Sequence, residues 1–152
     1  MKESISNSYV FMIVLTIIGL CSIIVISSLS YSKTFKIKNR MIEIIEKYQT
    51  FDDEVEAEID QLLKQTGYPY AKNGDACPVG RGNNIAGMSD QDTGYQAIND
   101  IKNYKYCIYK YDTAKGSYYS VVTYMSFELP LIGEFIKIEL PLYGDTKVFA
   151  DI

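Results

Sequence analysis

From Tyr9 to Leu29 the chain carries no charged residue, and the run is apolar apart from Thr16, Gly19, Ser22, Ser27 and Ser28. That length matches the roughly 20 residues needed to cross the hydrocarbon core of a bilayer. Hydroxyl side chains in such a segment can bond back to their own helix, so they do not spoil it. A buried core helix of this length normally shows a polar face, and this one shows none. A cleaved signal peptide is the closer alternative, since Ser28-Leu29-Ser30 offers small residues. Its apolar core is usually shorter, however, and its leading segment more basic than Lys2 alone. We therefore read residues 1–8 as a stub and residues 9–29 as a retained transmembrane helix, with residues 30–152 as an extramembrane domain.

After the apolar run the periodicity continues but becomes one-sided. Ile37, Met41, Ile44, Ile45 and Tyr48 recur at helical spacing, with Lys36, Arg40, Glu43 and Lys47 opposite. No Gly or Pro interrupts Tyr31 to Gln49, so one helix is expected from about residue 8 to 48, its extension covering 30–49. A second, short helix is expected over 52–66. Thr50, Asp52 or Asp53 can cap it, Glu54, Glu56 and Glu58 suit its positive end, and Val55, Ile59, Leu62 and Leu63 form its stripe. Gly67 and Pro69 close it.

Residues 68–100 are rich in Gly, Asn, Asp, Ser and Pro and read as a long loop. Its Asp90–Gly94 stretch has too few ligand positions for a calcium loop, and Gly80-Arg81-Gly82 is too little for a phosphate loop. From Tyr104 the period switches to two. Strands are expected over 104–111, 118–129 and 135–140, with a short last strand over 147–150. Ile136, Ile138 and Leu140 alternate with Lys137 and Glu139. The fold class that follows is α+β, two helices and then an antiparallel β-meander over 104–150.

Composition narrows the chemistry. There are 14 Tyr, no Trp and no His. Lack of His removes the commonest general base and metal ligand, and no nucleophile elbow, P-loop or dinucleotide fingerprint is present. No cofactor and no metal site is expected, and no enzymatic activity. Of the 15 basic residues, five (Lys2, Lys33, Lys36, Lys38, Arg40) precede residue 41, whereas 18 of the 19 acidic residues follow it. An acidic domain repels nucleic acid. The cluster Lys33, Lys36, Lys38 and Arg40 adjoins the apolar run, where lipid headgroups are its natural partner.

Cys77 and Cys107 could form one disulfide tying the loop to the first strand, contributing about 3–4 kcal/mol; two unlinked thiols are the alternative. Orientation is contested. The positive-inside rule, counting the same four cations, places the domain in the cytoplasm. A disulfide and the absence of cytoplasmic chemistry favour an extracytoplasmic domain at the cell membrane, and we take that reading.

Three stretches carry a family likeness. They are Lys2-Glu3-Ser4-Ile5-Ser6, the segment Ser30-Tyr31-Ser32-Lys33-Thr34-Phe35-Lys36-Ile37-Lys38-Asn39-Arg40, and Leu129-Pro130-Leu131-Ile132-Gly133 through Gly144-Asp145-Thr146-Lys147. Together with the helix-then-sheet plan, they make the chain resemble the TadE/TadF-like minor pseudopilins of Gram-positive Tad-type pilus loci. The resemblance implies a pilin-like architecture and a structural or assembly subunit of a surface pilus or secretion apparatus. Other pilin-like or assembly subunits would be its partners, through the N-terminal helix. The acidic residue typical of pilin helices is not inside the apolar run, Glu3 lying before it, and no Gly-Phe processing site is evident. Thr16, Gly19 and Ser22 could line a close helix-packing face. The alternative function is a membrane-anchored extracytoplasmic binding module using loop 68–100 or the Tyr-rich sheet.

Overall fold

The computed structural model describes residues 2–72, 74–78, 97–131 and 134–150. The middle of the long loop, with Gly80-Arg81-Gly82 and Asp90–Gly94, lies outside the described residues, as do Ile132 and Gly133.

Helix α1 (Lys2–Tyr48) is unbroken. The stub expected before residue 9 is helical from Lys2, because nothing between Lys2 and Ser8 breaks a helix. Inside the apolar half the hydroxyls of Thr16, Ser22 and Ser27 donate to the carbonyls of Met12, Ile18 and Ile23, each at 2.9 Å. These back-bonds hide polar atoms where only apolar surface surrounds them. The helix ends at Gln49, which turns to positive φ (57°).

Helix α2 (Asp53–Thr66) is capped by Asp52, whose carboxylate accepts the Val55 N–H at 3.0 Å. At its far end Gly67 is left-handed, with the Gly67 and Tyr68 amides returning to the Lys64 and Leu63 carbonyls. Val55, Ile59 and Leu63 are fully buried against Ile37, Met41 and Ile45 of α1, and both stripes face the sheet.

Strands β1 (Tyr106–Thr113), β2 (Gly116–Leu131) and β3 (Glu134–Asp145) form an antiparallel sheet in the order β1-β2-β3. The chain is thus α+β, with a long N-terminal apolar helix, a second short helix and a three-strand sheet. Thr113 pairs with Gly116 across Ala114-Lys115, a two-residue hairpin where a longer turn was expected. Gly116 lies at φ 131°, and a Cβ there would collide with the main chain of Phe149, so only glycine fits. The expected fourth strand is not a separate element. Past Asp145 the Thr146 hydroxyl accepts the Tyr119 N–H at 3.0 Å, and the chain rejoins β2 at Ser117–Phe149 with its register slipped by one. Residues 146–150 therefore continue β3 beyond a bulge-like offset.

Even-numbered residues of β1 and odd-numbered residues of β2 face the helices: Tyr106, Ile108, Tyr119 and Val121 join the α1/α2 core. The opposite face packs Cys107, Tyr109, Tyr111, Tyr118 and Val122 beneath Cys77, Ala97 and Ile101. The sheet is therefore covered by helices on one side and by the ends of the long loop on the other. Of the alternation expected over residues 136–140, Ile138 is half-buried, but Leu140 is 47% exposed, open like its neighbour Glu139, and the side chains of Ile136 and Lys137 lie outside the described residues.

β1 pairs with β2 only as far as Thr123. Beyond that, residues 124–131 of β2 pair with 134–141 of β3 alone, forming a two-stranded arm. The hydroxyl of Tyr68 takes the Tyr124 N–H at 2.7 Å and donates to the Lys105 carbonyl at 2.8 Å, closing the ladder where β1 runs out.

Candidate functional site

α1 divides into two halves with different surroundings. No residue of its apolar half is buried inside the rest of the chain. That half is long and apolar enough to cross a membrane. Side chains there stand open, among them Leu20 (57%), Ile24 (68%) and Leu29 (67%). Cys21, a free cysteine, is also exposed.

At about 100° per residue, Thr16, Gly19, Ile23, Ser27, Ser30, Thr34, Ile37, Met41 and Ile45 share one side of α1. This side is the one the domain occupies. Thr34, Ile37, Met41 and Ile45 are buried, and Ser30, Ser27 and Ile23 are half-buried amid exposed neighbours. Thr16 and Gly19 extend the line beyond the cover, and a Cβ at Gly19 would meet nothing within 4 Å. Ser22 falls off this line, so the three residues expected to form one packing face do not all share it. The small residues Ser27, Ser30 and Thr34, which let a neighbour approach closely, were not singled out in the sequence.

The four cations after the apolar run occupy different settings. Lys33 donates to the Gly67 carbonyl at 3.4 Å, at the C-terminal end of α2 where a cation is favoured. Lys38 is buried. It donates to the Tyr143 carbonyl at 3.0 Å, and its ammonium sits 4.5 Å from the Phe35 ring centre. Arg40 pairs with Glu43 at 3.6 Å in the open. Lys36 and Arg40 line a groove between α1 and α2 with Glu43, Lys47 and Glu58. Two of the four cations thus bind the domain itself, and Lys36 and Arg40 remain at the surface.

Cys77 and Cys107 form a disulfide, with their Cα atoms 5.7 Å apart. Around it both ends of the loop are pinned to β1. The Tyr109 hydroxyl donates to the Pro78 carbonyl at 2.6 Å. Asn99, buried, donates to the Tyr106 carbonyl at 2.9 Å and accepts the Ile108 N–H at 2.7 Å, while the Ile98 N–H reaches the Ile108 carbonyl at 2.8 Å. The amide side chain copies a strand backbone and seals the free edge of β1, an edge that would otherwise invite pairing with another chain.

Lys105 anchors the base of the arm, bonding Asp75 at 3.1 Å and Glu139 at 2.9 Å with its ammonium 4.9 Å from the Tyr124 ring centre. The bond to Glu139 does most to hold the Lys105 pKa above its ordinary value; burial opposes it and the bond to Asp75 adds to it. Asp75 is held below its own value by the Lys72 N–H first and Lys105 second. Neither Asn99 nor Lys105 carried a sequence signal, since each depends on partners brought together only by folding. Among the described residues no group of His, Cys, Asp and Glu is placed to hold a metal ion. No protein-family model, no curated protein and no solved structure matches the chain.

Proposed function

We propose that this protein is a membrane-anchored, non-catalytic structural or assembly subunit of a cell-surface apparatus, pseudopilin-like in plan, with its domain on the extracytoplasmic side. One observation carries the reading: a single helix is both the free apolar segment and the spine of the domain. An element built this way couples the domain rigidly to whatever packs on its N-terminal half. A flexible tether would suffice to anchor an independent binding module. The disulfide supports an oxidising compartment, and thus the outside, against the positive-inside count. The partition of the cations weakens that count's simplest form, since Lys33 and Lys38 have partners within the domain. In the binding-module alternative, aromatic rings are left open to a ligand. Here Tyr68, Tyr104, Tyr106, Tyr109, Tyr111, Tyr118 and Tyr119 are buried, while Tyr70 and Tyr143 stand open at separate places, one beside α2 and one on β3.

Two measurements test this. In a Cys21→Ser background, Ala114→Cys at the exposed hairpin turn is expected to react with a membrane-impermeant maleimide on intact cells; reaction only after lysis places the domain inside and sinks the surface reading. A photo-crosslinking residue at Ile18 is expected to capture other membrane subunits or further copies in native membranes. A chain that remains uncrosslinked there, and at Val14 and Leu20, is an isolated anchor and not an assembly subunit.

A further inference from the structure

We infer that Lys33 and Lys36, at the membrane-side foot of the helix pair, together hold the headgroup phosphate of an anionic phospholipid. This deepens the anchor part of the proposed function. It does not depend on the pilus part or on the side of the membrane where the domain lies.

The site begins with the direction of α2. Only Gln49, Thr50, Phe51 and Asp52 join the two helices, and so short a connection returns α2 antiparallel beside α1. The contacts agree. Lys47, in the last turn of α1, meets Glu58 at 3.7 Å, whereas Lys33 reaches the carbonyl of Gly67, just past the end of α2. The acids of α2, from Asp53 to Asp60, thereby lie toward the far end of the pair, where α1 carries Glu43 and Glu46. From Gln61 to Gly67 α2 has no acid and one base, Lys64. From Ser30 to Ile42 α1 has no acid and carries Lys33, Lys36, Lys38 and Arg40. The pair is polarised along the axis of α1, basic at its foot and acidic at its head. On the sheet side, Asp75 and Glu139 are both bound by Lys105.

Height separates the four cations of α1. Lys33 and Lys36 follow Leu29 by about 6 and 10 Å at 1.5 Å per residue, and the headgroup layer reaches about 5–7 Å beyond the hydrocarbon. Cα–Cβ bonds in a helix tilt toward its N-terminus, here toward the membrane. The flexible stem of Lys36 therefore carries its ammonium down to the phosphates while the methylenes stay along the helix. Tyr31 and Phe35 lie at the same level, exposed and stacked 5.9 Å apart, and aromatic rings collect at that interface. Arg40 stands about 16 Å above Leu29 and pairs with Glu43. Lys38 is turned inward to β3.

The two remaining lysines suit one phosphate. Positions three apart on a helix are neighbours, with Cβ atoms about 5–6 Å apart, so each ammonium can donate to the same group. Lys36 lines the groove beside Gln65 and Thr66 of the last turn of α2 and has no ion-pair partner among the described residues. The bond from Lys33 to Gly67 is long and exposed, at 3.4 Å. It leaves N–H groups of the ammonium free and covers a carbonyl at the negative pole of α2 that would otherwise repel an anion. Because α1 is unbroken, a foot held at the phosphates also fixes how far the domain stands from the surface.

The chain has no tryptophan, so one introduced residue reports alone. Ser32 is exposed and lies one turn below Lys36 on the same face. The full chain carrying Ser32→Trp is reconstituted into vesicles of brominated phosphatidylcholine, which quench its emission. The brominated lipid is then diluted with unbrominated phosphatidylglycerol or, in a parallel series, unbrominated phosphatidylcholine. Phosphatidylglycerol is expected to restore emission with a preference of about fivefold or more, the factor that one lysine near an anionic surface contributes. The preference should shrink in high salt and vanish when Lys33→Gln and Lys36→Gln are combined, but survive Arg40→Gln. Lys36→Gln alone, which should reduce it, serves if the combined variant loses its near-ultraviolet dichroism. Equal recovery with both lipids overturns the inference, as does a preference that survives the combined variant. Absence of quenching at Ser32→Trp overturns it too if Leu20→Trp is quenched, because the face is then in water or covered by protein. Failure of Leu20→Trp to be quenched overturns the anchor itself, and is thereby distinguished from failure of the lysine pair.

Discussion

Lys38 donates to the main-chain carbonyl of Tyr143 at 3.0 Å, joining the spine helix to the outermost strand of the sheet. The bond is part-buried, and the methylene stem of the same side chain fills the space that a side chain at position 144 would otherwise take. A lysine in this setting acts through its stem as much as its charge.

Lys38→Ala removes the donor, the packing and the contact with Phe35 together. The expected loss is about 1–2 kcal/mol, from a part-buried hydrogen bond and the packing of the stem. Lys36→Ala, at an exposed neighbouring position, should stay within about 0.5 kcal/mol. Denaturant unfolding of the full chain in detergent, followed by tyrosine near-ultraviolet dichroism, measures both. Equal effects would mean that the four cations are a single surface cluster after all.

The disulfide closes a sequence separation of 30 and holds the loop against the outer sheet face. Converting both cysteines to alanine is expected to cost about 3–4 kcal/mol, mainly through the larger freedom of the unfolded chain. Comparison of unfolding midpoints with the parent chain checks this. A variant of unchanged midpoint would show that Tyr109, Asn99 and Ile98 suffice to hold the loop.

Much of the fold was legible from local rules. The capping by Asp52, the close at Gly67 and the buried stripe Ile37, Met41 and Ile45 follow from spacing and cap chemistry, which are local properties. What escaped depends on long-range register. Residues 147–150 looked like a strand of their own because a bulge-like offset at Thr146 is invisible until β2 is opposite. The basic cluster looked uniform because sequence does not reveal that Gly67 and Tyr143 come to lie beside Lys33 and Lys38. The arm was hidden in the same way. Only the pairing of β1 with half of β2 shows that residues 124–131 and 134–141 run on as a pair of strands.

Asn99 offers a sharper test of how that sheet is finished. Asn99→Ala orphans the Tyr106 carbonyl and the Ile108 N–H, which sit at the inner end of β1. The expected cost is about 1–3 kcal/mol per unsatisfied group. Exchange of the Ile108 amide should accelerate well beyond the change in global stability, and the exposed edge should raise the tendency to self-associate. Unchanged exchange at Ile108 would mean that Ile98 alone protects the edge.

Alkaline pH tests the tyrosine core. Burial pushes the phenols of Tyr68 and Tyr106 well above the ordinary value of 10.0, the Tyr124 N–H drawing Tyr68 partly back and Asp60 and Glu56 raising Tyr106 further. Burial also moves Tyr109 to about 12. A phenol whose folded pKa is raised keeps its proton in the fold and releases it in the unfolded chain. Its contribution is therefore complete below about pH 10, the unfolded value, and is lost as pH rises toward the folded one. Stability should fall steeply from about pH 10 upward. Tyrosinate absorbance should rise in part only when the fold is lost, that late phase coinciding with loss of near-ultraviolet dichroism. Tyr68→Phe should lower the number of late-titrating rings while losing the bond that closes the ladder at Tyr124. A single reversible titration near pH 10 with the dichroism intact would contradict a core built on these rings.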